Sequence, residues 1–198
     1  MKKAPFLFLL ILLHSMTIHA QHQQRYTCRL IQAKELALFG TSNTVDFTCG
    51  YKAPYSKKQI AFVQVNQRNL EQFPEIQLRV RQLDCGSSGI NYDMQKTLQA
   101  SKYPSILLQP VRAFSDFSLS SQQQGEIQIW ITIAGKKQLE KVSVELTPLG
   151  NDRFRIQGRH WLSFTRYGMD PPKALFGLVR VDDKLLLKFD LEIELIPS

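Results

Sequence analysis

Residues 185–195, LLLKFDLEIEL, alternate without a break. Leu185, Leu187, Phe189, Leu191, Ile193 and Leu195 fall on every second position, with Leu186, Lys188, Asp190, Glu192 and Glu194 between them. A period of two makes a strand with one apolar face and one mostly charged face. The same period recurs upstream. Leu36 and Leu38 share a face in ELALFG, which Gly40 ends, and Val45, Phe47 and Cys49 share one in TVDFTC. IAFVQV (60–65) is a short apolar run. Ile76, Leu78 and Val80 align opposite Gln77, Arg79 and Arg81, and then Leu83 and Cys85 continue on the other parity. A one-residue slip of this kind predicts a bulge at Arg81–Gln82, or two separate strands. SILLQPVRAF resumes the strands. Ile127, Ile129, Ile131 and Ile133 then share a face, as do Val142, Val144 and Leu146. Phe154, Ile156, Gly158, His160, Leu162 and Phe164 oppose Arg153, Arg155, Gln157 and Arg159. ALFGLVRVDDKLLLKF predicts a hairpin turning at Asp182–Lys184.

One segment breaks the rhythm. In NYDMQKTLQASKYP (91–104), Met94 and Leu98 are four apart, Asn91 suits a cap and Pro104 is a stop. This predicts one short α-helix, about residues 91–101. SLSSQQQG (118–125) is a polar loop and QHQQRY (21–26) a loose start. Strand follows strand with short connections. A parallel sheet, whose crossovers need helices, is excluded. An antiparallel barrel or sandwich remains, and long strands with one clean apolar face favour the barrel.

The first twenty residues stand apart. Lys2 and Lys3 precede the apolar run Phe6–Leu13 and a small residue, Ala20. This is the layout of a signal peptide over residues 1–20. Residues 21–198 are then a single domain with an ordered core of about 27–196, and the protein is exported, periplasmic or secreted. The apolar run is shorter than a bilayer span. The formal charge of the whole chain is +8. Without Lys2 and Lys3 it is +6; the basic residues are scattered singly, which reads first as ordinary solubility and second as transient contact with anionic membrane surfaces or acidic partners. Export permits disulfides. Three cysteines, Cys28, Cys49 and Cys85, allow one internal bridge, and sequence alone does not fix the pairing.

Candidate chemistry is sparse. Past residue 20 only His22 and His160 remain, no ligand spacing for a metal appears, and no glycine-rich phosphate cradle is present. Glu192/Glu194 and Asp182/Asp183 are paired carboxylates in solvated positions. Arg153, Arg155 and Arg159 with Trp161 come nearest to a nucleic-acid surface, a weak pattern in an exported chain. The expectation is no catalytic residue, no metal, no cofactor and no nucleic-acid partner.

LQASKYPSILLQPVRAF, GEIQIWITIAGKKQLEKVSVEL, FRIQGRHWLSFTRYGMDPP and KLLLKFDLEIEL run in the order typical of the YceI-like family. ALFGTSNTVDFTC and LDCGSSGINYDMQKTL resemble its opening strands and the segment before its KYP. The chain resembles these exported bacterial lipocalin-like proteins, linked to polyisoprenoid binding, over nearly all of residues 34–196. The resemblance implies an all-β, antiparallel lipocalin-like barrel with one short helix and a long interior tube. It implies a lipid-lining set of Val45, Phe47, Ile76, Leu78, Val80, Ile127, Ile129, Ile131, Phe154, Ile156, Leu187, Phe189 and Leu191, and a Cys49–Cys85 disulfide that leaves Cys28 free. The implied ligand is a long-chain isoprenoid or similar apolar lipid, a quinone among them, held for storage or transport in the cell envelope. SSGINYDMQKTL departs from the family by lacking its arginine–aspartate and histidine pattern, and with it the family's polar contacts to a head group. Two alternatives stand beside the carrier: an enzyme using His160 or Tyr167 on a hydrophobic substrate, and a structural envelope protein with a filled core. A homodimer through strand edges or the barrel mouth is a further expectation.

Overall fold

The computed structural model describes residues 23–52, 59–65, 69–71, 75–112, 120–174 and 178–197. The proposed signal peptide, residues 1–20, lies outside them. Twelve strands occur among the described residues: β1 (Gln23–Ser42), β2 (Phe47–Tyr51), β3 (Gln59–Val65), β4 (Asn69–Glu71), β5 (Ile76–Arg79), β6 (Leu83–Asp84), β7 (Ser105–Arg112), β8 (Gln123–Ile133), β9 (Lys136–Gly150), β10 (Arg153–Ser163), β11 (Lys173–Ala174) and β12 (Val179–Pro197). One helix, α1 (Ser88–Thr97), separates β6 from β7.

Every pairing is antiparallel. The sheet runs β12-β10-β9-β8-β7-β4-β3-β1, and β1 pairs back onto β12, so the wall closes on itself as a barrel. β1 serves two more neighbours along its length. Its first residues pair with β3, and Ala37–Gly40 pair with β2. β7 likewise pairs with β5 near its start and with β4 at Arg112. β5 and β6 form one crossing segment that links β7 to β2 at the helix end of the barrel.

The phase slip at Arg81–Gln82 is a 3-10 turn over Val80–Gln82, placed between β5 and β6. The turn lets Ile76 and Leu78 on one side of it, and Leu83 and Cys85 on the other, all keep their inward facing despite the change of parity. β1 uses the same device. It drops out of register against β12 at Ile31 and again at Lys34, so Cys28, Leu30, Ala33, Leu36 and Leu38 all face inward residues of β12. These two irregularities hide the first half of β1 from a period-two reading. The start at 21–26, expected to be loose, belongs to the strand from Gln23 onward.

Two further expectations are corrected. The helix begins three residues earlier than expected and ends at Thr97, because Ser87 caps it by accepting from the Ile90 backbone N–H. Asn91 instead accepts from the Cys85 N–H at 2.6 Å and donates to Asp84, tying the helix start to the preceding turn. The hairpin expected at Asp182–Lys184 is absent. β12 passes straight through, since Asp182 accepts from Thr41 Oγ1 and Asp183 from Ser163 Oγ and the Thr165 N–H. Both carboxylates fasten the strand to its neighbours instead of turning it.

Cys49 on β2 and Cys85 before α1 are joined by a disulfide, and Cys28 is free. The bridge lies in the larger of two apolar clusters, which also holds Val80, Met94, Leu98, Ile131 and Leu185. α1 is therefore packed over one end of the barrel by the same core that fills that end.

Candidate functional site

The wall presents its apolar parity inward, and burial varies along the barrel axis. At the helix end Ile129, Ile131, Ile133, Leu162, Phe164 and Leu185 are buried. At the far end Leu146, Phe154, Ile193 and Leu195 form a second cluster, joined by Cys28 and Leu30. Among the described residues Ile156 is the one that packs against both clusters. Between them Ile127, Ile156, Leu187, Phe189 and Leu191 face inward yet are only half-buried. Half-burial at inward positions is the pattern expected of a wall beside incompletely filled space.

The expected lining residues divide accordingly. Ile127, Ile156, Leu187, Phe189 and Leu191 border the middle of the interior, and Phe47, Leu78, Ile129, Ile131 and Phe154 face it from nearer the ends. Ile76 is half-buried at the edge, paired with Leu108. Val80 is 1% exposed in the 3-10 turn and belongs to the packed core beside the helix, so it is filling and not wall. Val45 is a correction. It precedes β2 and is 58% exposed, because Ser42 Oγ donates to its carbonyl in a surface turn that starts β2 only at Phe47.

A polar group sits within this apolar wall. Glu140 has the inward parity of Val142, Val144 and Leu146 and is 4% exposed. Tyr167, in a 3-10 turn that follows β10, donates its hydroxyl to Glu140 Oε1 at 3.1 Å. Arg166 Nε lies 3.3 Å from the same oxygen, and His160 Nε2 lies 3.2 Å from Oε2. Burial, with the neighbouring Glu140 charge second, pushes the Tyr167 phenol up, so it remains a donor. His160 and Tyr167 were visible in the sequence as isolated polar residues. Glu140 was missed, although extending the Val142–Leu146 alternation back by one step puts it on the apolar face. Among the described residues His160 and Tyr167 both bond Glu140, which holds the imidazole and the phenol in fixed places beside one carboxylate.

The outer face of β1, β12 and β10 is divided. Towards the far end it is a ladder of ion pairs: Arg29 with Glu194, Arg153 with Glu192 at 3.7 Å, and Arg155 with Asp190 at 2.5 Å. Arg153 and Arg155 are thereby used within the fold. Towards the helix end the pairing stops. Phe39, Leu186 and Trp161 are direct cross-strand neighbours and form an apolar row. Trp161 is 61% exposed, and Lys188 stands over the Phe39 ring at 4.3 Å. Lys184 flanks the row on one side and Arg159 on the other, and none of the three cations is in an ion pair among the described residues. A cleft of about 320 Å³ runs along this row.

Two solved structures share this architecture. A polyisoprenoid binding domain from Saccharophagus degradans, implicated in plant cell wall breakdown, aligns with a TM-score of 0.63 at 11% identity, over 85% of this chain and 97% of its own. BcnA of Burkholderia cenocepacia aligns with a TM-score of 0.52 at 13% identity, over 86% of this chain and 95% of its own. The chain has the YceI-like fold. No family model and no curated protein matches the sequence. The all-β, lipocalin-like barrel with one helix, expected from the alternation and the resemblance, is the architecture observed.

Proposed function

We propose that the protein is an exported YceI-like carrier that binds a long isoprenoid or similar apolar lipid inside the barrel and holds it for storage or transport in the cell envelope. One observation carries the reading: Ile127, Ile156, Leu187, Phe189 and Leu191 face inward and stay half-buried, although the apolar clusters at either end of the barrel are buried. The shared fold with a polyisoprenoid binding domain supports it.

The physics suits such a passenger. Each methylene gains about 0.8 kcal/mol on leaving water, so a tail of about twenty carbons gains roughly 16 kcal/mol before association costs. That approaches the ceiling for non-covalent affinity without any polar anchor. In a membrane the tail is already dry, so transfer from bilayer to barrel is close to balanced and permits both loading and release. The unpaired cations around the Phe39–Leu186–Trp161 row give the barrel a face suited to an anionic bilayer, from which such a lipid is drawn.

Organic extraction of the purified protein followed by mass spectrometry tests the reading. The expected result is an isoprenoid lipid near one per chain, a quinone being one form it takes. Protein that yields no lipid, and that takes up no added prenyl lipid after delipidation, overturns it in favour of a filled, structural barrel.

A further inference from the structure

The ladder between β9 and β10 is shorter than the strands themselves. It runs from Gly150 and Arg153 to Ser143 and Arg159 and stops there. β9 stays paired with β8 down to Lys136, and β10 stays paired with β12 up to Ser163. Among the described residues, 136–142 of β9 and 160–163 of β10 therefore have a strand on one side only, and the wall forks towards the helix end. Alternation does not demand the fork. Val142 and His160, next in line after the last rung, share the parity that a longer ladder would need.

Side chains bridge the fork where the backbone does not. Glu140 on β9 accepts from the Tyr167 hydroxyl at 3.1 Å and lies 3.2 Å from His160 Nε2 on β10. Arg166 Nε lies 3.3 Å from the same carboxylate, and Arg166 Nη2 donates to the Leu139 carbonyl at 3.4 Å. Gln138 Nε2 donates to the Arg166 carbonyl at 3.3 Å. Tyr167 holds Glu140 whether or not His160 carries a charge. Such bonds break one at a time and leave the β8–β9 and β10–β12 ladders whole. Arg166 is 53% exposed, so water screens its charge and its ion pair is readily given up.

The fork stands between the interior and the apolar row of the outer face. Leu187, one of the half-buried inward residues, is the cross-strand neighbour of His160 on one lip. Outside, Trp161 follows on that lip and Leu139 stands on the other, both exposed. Buried apolar clusters occupy both ends of the barrel, one of them beneath α1.

We infer that the β9–β10 fork is a lateral gate, latched by Glu140 to Tyr167, Arg166 and His160, through which a lipid chain passes sideways between bilayer and barrel. The inference rests on the carrier reading and adds the route. Opening parts the two lips without breaking a rung of any ladder. The latch closes again over a loaded barrel as over an empty one, so it sets the rate of exchange and not the affinity.

Delipidated full-length protein is loaded with a radiolabelled C20 prenyl alcohol from cyclodextrin, which keeps membrane docking out of the measurement, and uptake and release are timed. In Tyr167→Phe one latch bond is lost, and both rates are expected to rise about five- to tenfold with their ratio unchanged, the scale of one net hydrogen bond. A rise in release alone lowers affinity, marks a loosened interior and overturns the gate. A staple tests the fork independently and decides if the phenylalanine variant does not fold. In a Cys28→Ala background, Lys141→Cys with Trp161→Cys places a thiol on each lip, one step past the last rung on the outer face. Joining them with a short bismaleimide is expected to slow both rates at least about tenfold against the unjoined variant, since parting the lips then strains a covalent bridge. The same staple at Ser143→Cys with Arg159→Cys, where the strands are already paired, should leave both rates unchanged. Unchanged rates with the fork stapled overturn the gate and leave the carrier standing, its ligand entering by an end. Unmodified protein that takes up no prenyl alcohol overturns the carrier reading itself.

Discussion

The ring of Phe189 lies across Gly158, its cross-strand partner, so closely that a Cβ on the glycine would stand 2.3 Å from Cζ of the ring. The same Cβ would stand 2.8 Å from the backbone oxygen of Ser143 on β9. The glycine is there to admit an aromatic ring against the wall, and the ring in turn borders the interior. Gly158→Ala is expected to cost about 1–3 kcal/mol, because a ring can swing away but a strand carbonyl cannot. It also pushes Phe189 toward the lipid path. Urea denaturation should show the loss, and lipid recovered per chain should fall with it. Adding Phe189→Leu should restore lipid uptake more than stability, since it frees the ring contact and not the one to Ser143. An unchanged midpoint for Gly158→Ala would show that the wall flexes freely here.

This contact also marks how far the sequence could be read. Gly158 stood in an apolar row with Phe154, Ile156 and Leu162, and parity alone placed it on the interior face. The partner of that row was not visible, because pairing depends on register across 31 positions of chain. Regular strands such as β8, β9 and β10 were legible for the same reason that they are regular. β1 was half lost because its irregularities at Ile31 and Lys34 shift the alternation twice. Asp182–Asp183–Lys184 imitated a turn, since a run of three polar residues reads alike whether water or Thr41 and Ser163 satisfies it. The apolar half of the site followed from alternation. Its polar half did not, because Glu140, His160 and Tyr167 meet only when β9, β10 and the turn after β10 fold together.

The Cys49–Cys85 bridge closes a loop with a sequence separation of 36, containing β3 to β6. By chain entropy a loop of that size is worth about 4 kcal/mol. Cys49→Ala with Cys85→Ala should therefore lower stability by about that amount, most of all where α1 covers the barrel. Hydrogen exchange should show the loss first at Met94 and Leu98. Cys28 supplies an internal control. Burial pushes its thiol up to about 12, so at pH 8 it should resist alkylation in the folded protein and react readily once unfolded. Rapid labelling of native Cys28 would mean that the far end of the barrel opens.

Asp190 gives the barrel an acid limit. The hydrogen bonds from Arg155, at 2.8 and 2.5 Å, hold its carboxyl below the ordinary value of 3.8, against the opposing effect of burial. A carboxyl depressed in the folded state contributes stability above its unfolded value and loses it as pH falls through the folded one. Asp190→Asn should thus be less stable than the wild type at pH 7, with the gap closing as pH drops below 3.8. Chemical denaturation at pH 7, 5 and 3 measures it. A gap that widens in acid would contradict the assignment.

Trp161 stands where the outer face changes character, from the Arg155–Asp190 ladder to an apolar row ringed by Lys184, Lys188 and Arg159. Val45 and Leu178, 58% and 73% exposed, project from two turns at the same end. Asn43 ties those turns together, donating to the Leu178 carbonyl and accepting from the Arg180 N–H. An indole beside unpaired cations matches the boundary between lipid tails and anionic head groups. Sedimentation with vesicles should show binding to anionic and not to zwitterionic bilayers, weakening as salt shortens the reach of the charges. Trp161→Ala should reduce binding at least about tenfold through lost apolar burial. Lys184→Gln with Lys188→Gln should flatten the salt dependence, each cation being worth about 1 kcal/mol near such a surface. The two effects separate the apolar from the electrostatic contribution, and lipid already inside the barrel should be retained in both variants. If Trp161→Ala binds vesicles as well as the wild type does, the barrel meets the membrane by another face.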